Sequence, residues 1–165
     1  GLSMLDPQTG RGQTAPAWTL GAQAVEVEVD LRTCSYRILA ASTVMDVGKV
    51  INPELMRAMV AGGMAMGLSL ASREAFSYDA AGIPGAPNLR TYKLMHIGQE
   101  PDYRVDFVET PEEGSPYGMR RYAEHGTIAM PAALANALST AFGTELLFLP
   151  LTPERIWAHG KEGQR

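Results

Sequence analysis

Cysteine is almost missing from this sequence: Cys34 is the only one in 165 residues. No disulfide can close within the chain, and a cytoplasmic setting is the default expectation. A lone thiol at a predicted hairpin turn reads as inert. Positive charge is also scarce, with 14 Lys and Arg against 18 Asp and Glu and a net charge of −4. No basic patch marks a nucleic-acid surface. Arg120 and Arg121 form the only tight cationic pair near a candidate site. No apolar run approaches the ~18 uncharged residues of a membrane span, so no membrane partner is expected. Residues 1–15 are polar and give no sign of a secretory leader, and residues 1–4 read as a cloning remnant. The histidines, His96, His125 and His159, are far apart and form no HExxH or Cys/His cluster, so no protein-ligated metal is expected. No GxSxG or P-loop is present.

What is there suits one domain with a modest core, since 45% of the residues are apolar. Residues 1–17 lack periodicity and read as an extended arm; residues 18–165 form the domain. Val25, Val27 and Val29 alternate with Glu26, Glu28 and Asp30, which predicts a half-buried strand over 22–30. A turn over 31–35 and a more apolar strand over 36–45 complete a hairpin. Asn52 offers an N-cap with Pro53 at the first helical position, predicting a helix over 53–73. Its apolar face is read as Met56, Met59, Gly63, Met66 and Leu70. Further expectations are a loop over 77–90, a short strand over 91–95, a strand over 103–110 and a loop over 111–118. A helix over 131–142 stopped by Gly143, a short strand over 145–149 and a last helix capped by Thr152 follow. Strands and helices mix without a strict βαβ repeat, so the fold class is α+β, a mixed sheet with packed helices.

Two features could carry chemistry. Gly62, Gly63 and Gly67 lie inside the long helix, where each glycine costs about 1 kcal/mol against alanine. Either tight helix–sheet packing or the close approach of a cofactor or another domain would justify them, and both readings stand. The second feature is the run Gly118-Met119-Arg120-Arg121-Tyr122-Ala123-Glu124-His125-Gly126, a carboxylate in a glycine-flanked loop before an apolar helix. Glu124 could simply favour a helix N-terminus. Alternatively it reaches a closed pocket and takes a proton as general base.

Several short pieces occur in a specific order: Val25 to Asp30, Asp46-Val47-Gly48, Ile51-Asn52-Pro53, Gly62-Gly63 with Gly67-Leu68, Thr91-Tyr92-Lys93, Val108-Glu109-Thr110-Pro111, Gly118 through Glu124, and Leu151 to Arg155. Together, over residues 18–158, the series resembles the C-terminal part of the molybdenum-binding subunit of the xanthine dehydrogenase/aldehyde oxidase family, the molybdenum hydroxylases. The resemblance implies an oxidoreductase that hydroxylates an aldehyde or N-heterocycle with water as the oxygen source. It implies a molybdopterin cofactor whose metal is held by the pterin dithiolene and not by side chains. The family pattern resembles Gly-x-(Lys/Arg)-Gly-x-Gly-Glu, in which the Glu is the base that deprotonates the metal-bound hydroxyl. Glu124 matches it, and a buried carboxylate over an apolar floor would suit the role. Met59, Gly62, Gly63 and Ala123 match positions around the cofactor. Relatives often place Gln where Met59 and Met66 stand, and thioethers are weak hydrogen-bonding groups. Arg121 and Ala123 stand for glycines, and His125-Gly126 for a pair of prolines.

The resemblance also implies partners. The remainder of the molybdenum-binding subunit would complete the cradle, the isolated chain would not retain the cofactor, and a small molecule would be the substrate. One cysteine cannot supply the four thiolates of an iron–sulfur cluster, so iron–sulfur and FAD subunits or domains would carry the electrons. A competing reading is a non-catalytic, self-associating structural module derived from the same fold, because large apolar patches rarely stay bare. A small hydrolase using Glu124 and His125 is disfavoured, since adjacent residues on an extended segment point apart.

Overall fold

The computed structural model describes residues 3–14, 18–122 and 124–162. Strand β1 is Gly21–Asp30 and strand β2 is Ser35–Asp46; they pair antiparallel as the hairpin expected from the alternation. Asp30 closes the turn by accepting the Arg32 N–H through Oδ1 at 2.9 Å. Cys34, at φ 56, is buried there and free. Val29 faces Tyr36 and Val27 faces Ile38, but Glu26 already faces Ala40, so Leu39 is an extra residue in β2. That bulge resets the alternation. Beyond it Ala41, Thr43 and Met45 continue the inward face, opposite Val25, Gln23 and Gly21.

Helix α1, Pro53–Ser72, begins as predicted, with Asn52 Oδ1 accepting the Leu55 N–H at 3.0 Å. It leads to strand β3, Asp102–Val108, which pairs parallel to β2 and gives the sheet order β1-β2-β3. Tyr103, Val105 and Phe107 face the core while Arg104 and Asp106 face out, as the alternation required. Length and composition alone would let α1 cross a membrane, at mean hydropathy 1.3 over its apolar window, contrary to the sequence expectation. Half of that window is buried in the fold, however, and Met56, Val60, Met64, Leu68 and Ala71 fill the core. This also corrects the predicted apolar face: Met56 and Gly63 are inside, whereas Met59, Met66 and Leu70 are exposed. Two stripes of α1 are apolar, and periodicity alone could not say which one meets the sheet.

The second half of the chain closes the core. Helix α4, Met130–Phe142, buries Met130, Leu134 and Leu138, and Gly143 ends it at φ 67. Leu151 donates its N–H to Ala71 O at 2.7 Å, and Tyr36 Oη donates to Leu151 O at 2.8 Å. Burial pushes the Tyr36 phenol up to about 12, against the opposing pull of Arg73. Helix α5, Pro153–Glu162, packs through Ile156, with the Arg155 N–H directed to Thr152 Oγ1 at 3.5 Å.

Three further sequence expectations fail. Residues 91–95 are not a strand: Asn88 Oδ1 accepts the Thr91 N–H at 3.2 Å and starts a one-turn helix, α2, Leu89–Tyr92. Residues 145–149 form no strand: Leu146 is buried and its N–H bonds Ser139 Oγ at 3.0 Å. Residues 3–14 do not run extended. The Ser3 N–H reaches Gln13 O and the Asp6 N–H reaches Arg11 O, both at 2.8 Å, so this exposed segment doubles back on itself.

Candidate active site

The segment from Gly118 to Ala129 is tied to the sheet before and after Glu124. On the upstream side Arg120 donates through Nη1 to Asp46 Oδ2 at 3.1 Å and to Trp18 O at 2.8 Å, and its Nη2 lies 3.5 Å from Glu112. The Arg120 N–H bonds Val47 O at 2.8 Å. Asp46 also accepts the Gly48 N–H at 3.0 Å, the Thr110 N–H at 3.3 Å and the Thr110 hydroxyl. The Thr110 hydroxyl above all, then the Gly48 N–H and the Arg120 guanidinium, hold this carboxyl below the usual carboxylate range against the opposing effect of burial. Gly48 sits at φ 73, and a Cβ there would overlap Gly118 O. The Asp46-Val47-Gly48 corner and the Glu124 loop therefore need each other's backbone.

Downstream, a one-turn helix, α3 (His125–Ile128), follows Glu124 directly. It packs on α1 through bare backbone. A Cβ on Gly126 would overlap Val60 O, one on Gly63 would stand 3.2 Å from Gly126 Cα, and one on Gly67 would stand 2.8 Å from Thr127 O. Thr127 Oγ1 donates to Gly63 O at 3.0 Å. Gly63 and Gly67 therefore serve close packing, but against α3 and the start of α4, not against the sheet. Gly62 differs: nothing lies within 4 Å of its missing Cβ, and it is exposed. It sits in a bare apolar stripe of α1 with Leu55, Met59, Met66 and Leu70.

Glu124 is exposed, so within this chain the expected burial over an apolar floor is not met. It does not cap α3 either: its side chain makes no capping hydrogen bond, while its carbonyl accepts the Thr127 N–H at 3.0 Å. Among the described residues no ion pair joins it to Arg121. His125 Nδ1 is buried without a partner while Glu124 is exposed. Contrary to expectation the segment is not extended, since Glu124 lies at φ −95 and ψ −2 and His125 opens α3. Ala123 lies outside the described residues. Among the described residues no group of His, Cys, Asp and Glu could hold a metal. An open cleft of about 970 Å³ lies at the Tyr36 end of β2 and contains none of the predicted site residues.

One contributor was missed in the sequence. Gln23 on β1 donates to Thr43 Oγ1 at 2.8 Å and Gly126 O at 2.9 Å, and accepts the Ala129 N–H at 2.8 Å. The signal was available: Gln23 shares the inward parity of Val25, Val27 and Val29, and a polar residue in an apolar row needs partners.

Residues 3–101 match the family model for the molybdopterin cofactor-binding domain, which ends before β3 and so does not reach Glu124. The xanthine dehydrogenase molybdenum-binding subunit of Escherichia coli O157:H7 is 36% identical over 138 residues, covering 83% of this chain and 18% of the relative. The nicotine 6-hydroxylase large subunit of Paenarthrobacter nicotinovorans is 31% identical over 144 residues, 86% of this chain and 18% of that one. Among solved structures, the aldehyde oxidoreductase of Desulfovibrio gigas superposes with a TM-score of 0.85 at 26% identity, covering 94% of this chain and 17% of its own. Quinoline 2-oxidoreductase of Pseudomonas putida 86 gives 0.78 at 30% identity, over 84% and 18%. The α+β fold is that of a molybdenum hydroxylase domain, and the chain belongs to the molybdopterin cofactor-binding domain family. It spans about a fifth of the length of these relatives.

Proposed function

We propose that this chain is one wall of the active site in a molybdenum hydroxylase, contributing Glu124 as general base and the Gly62 region of α1 as part of the pterin cradle. The observation that carries the reading is the Gly63–Gly126 contact. It places a carboxylate with no capping duty within two residues of the seam where α3 meets a helix bearing one uncovered glycine. The open space at Gly62 supports the reading. Gly62 leaves room for a flat ligand to approach the helix backbone, and a side chain there would enter that room. Met59 and Met66 line it with thioethers, so they offer apolar contact and weak acceptors, not donors. Ala123 belongs to the same reading.

When bound, the molybdenum cofactor supplies the two-electron redox centre for hydroxylating a carbon with oxygen from water. Glu124 accepts a proton at a carboxylate oxygen. Its exposure on this chain is consistent with a role completed by the rest of a larger subunit, which would exclude water and raise its proton affinity. The substrate class is an aldehyde or an N-heterocycle. Iron–sulfur and FAD subunits or domains would take up the electrons, and the setting would be cytoplasmic. The test is Glu124→Gln in the loaded complex. At unchanged molybdenum content kcat falls about 10²–10⁴-fold, the usual contribution of a positioned base. A wild-type rate would remove the assignment.

A second reading has its own observation. Leu55, Met59, Met66 and Leu70 are each more than 40% exposed along α1, with Ile51 exposed just before it, and a bare apolar stripe favours self-association. A non-catalytic, self-associating module predicts a concentration-dependent mass in light scattering and no molybdenum in any co-purified complex.

A further inference from the structure

The functional reading leaves open what keeps Glu124 aimed. Glu124 leads into α3, which has four residues. One helical turn is not stable alone, because nucleation fixes several dihedrals for a single hydrogen bond. Its position must come from tertiary contacts. Part comes from the backbone packing of Gly126 on α1 and the Thr127 hydroxyl on Gly63 O; the hydrogen bonds from α3 to the sheet converge on a single side chain.

We propose that Gln23 is a positioning residue for Glu124; the proposal rests on Glu124 being the base. The Gln23 amide spans α3 from end to end. Nε2 reaches Gly126 O at 2.9 Å and His125 O at 3.5 Å at the start of the turn, and Oε1 takes the Ala129 N–H at 2.8 Å just beyond its end. The orientation of the amide follows from the partners, since two carbonyls face its nitrogen and one N–H faces its oxygen. The remaining proton goes to Thr43 Oγ1 at 2.8 Å, the residue directly across the β1–β2 ladder. The amide is thus anchored in the sheet and holds α3 at both ends. Because α3 starts at the residue after Glu124, holding it sets the Glu124 backbone at φ −95 and ψ −2. That sets the direction of the Cα–Cβ bond. A general base must keep hydrogen-bond reach of the proton it takes, and a displacement of about 1 Å can cost about 100-fold in rate.

The test compares Gln23→Met, which keeps side-chain length and removes every bond, with Glu124→Gln in the loaded complex. Expected for Gln23→Met is a kcat at least about tenfold lower, with KM within about twofold and molybdenum content unchanged. In the 165-residue chain, the Ala129 amide, protected from hydrogen exchange in wild type, exchanges freely in Gln23→Met while core amides stay protected. Thr43→Val, which removes only the anchor, gives the same pattern more weakly. The proposal is overturned if the wild-type Ala129 amide exchanges at a free-loop rate. It is equally overturned if Gln23→Met keeps kcat while Glu124→Gln loses it, which leaves the base assignment standing. If Glu124→Gln keeps its rate, the base assignment fails, and the positioning role fails with it.

Discussion

Replacing Gly62, Gly67 and Gly126 by alanine, one at a time, separates the two uses of glycine in this fold. At Gly62 the new Cβ meets nothing within 4 Å, so only helix propensity counts. Alanine should stabilise the chain by about 1 kcal/mol, which at this size raises the melting temperature by about 2–4 °C. At Gly67 the same gain is opposed by contacts of 2.8 Å to Met130 Cβ and Thr127 O. Overpacking costs about 1–3 kcal/mol, so the net effect runs from neutral to about 2 kcal/mol destabilising. At Gly126 the Cβ would overlap the Val60 carbonyl, a backbone atom in the middle of α1. The loss there should reach or exceed the upper end of that range, about 3 kcal/mol. Urea and thermal unfolding of the three variants give the ranking. If Gly62→Ala destabilises, or if Gly126→Ala is as benign as Gly62→Ala, the assignment of packed and uncovered glycines is wrong. In the loaded complex Gly62→Ala should act oppositely and lower molybdenum retention, because its methyl enters space that the proposed cradle leaves free.

Arg120→Ala removes the cation joining Asp46, Glu112 and Trp18 O. Because Asp46 keeps its Thr110 and Gly48 partners, the cost should be about 2 kcal/mol in urea unfolding, less than for a fully buried pair. The folded Asp46 carboxyl ionises below its ordinary value. Its contribution is therefore complete above that value and disappears as pH falls through the lowered one; an acid unfolding limb identical in Asp46→Asn would contradict this. Tyr36 carries the opposite sign. Its phenol is raised from 10.0 to about 12, so its contribution is intact below pH 10 and is lost as pH rises through about 12. Tyr36→Phe should cost about 1 kcal/mol at neutral pH, through the lost bond to Leu151 O, and should flatten the alkaline limb of a melting-temperature profile.

Periodicity made the hairpin, the long helix with its Asn52 cap and the alternation of β3 readable, because each follows from local spacing and a capping side chain. The buried side of α1 was not readable in the same way. Met59 and Met66 recur with a helical period just as Met64 and Leu68 do, and the choice between them is made by Gly63 and Gly67 meeting α3, a partner far along the chain. Residues 91–95 look β-like by Thr and Tyr content, but Asn88 turns the chain first. Residues 145–149 have the apolar run of a strand, but the Leu146 N–H goes to Ser139 Oγ and not to a ladder. Glu124 was singled out from its motif, yet what braces it was not, because Gln23 is 101 positions earlier. Only its inward parity on β1 marked it.

The nine methionines of this chain turn the two sides of α1 into a chemical record of assembly. Met45, Met56, Met64 and Met130 are at most 3% exposed, while Met4, Met59 and Met66 range from 41% to 90%. Brief peroxide treatment, read by mass spectrometry, should convert the second group to sulfoxide and spare the first. Under the proposed reading, in which the rest of a larger subunit covers this helix, Met59 and Met66 should fall silent on assembly, so the order of labelling would date the moment the wall acquires its opposite face.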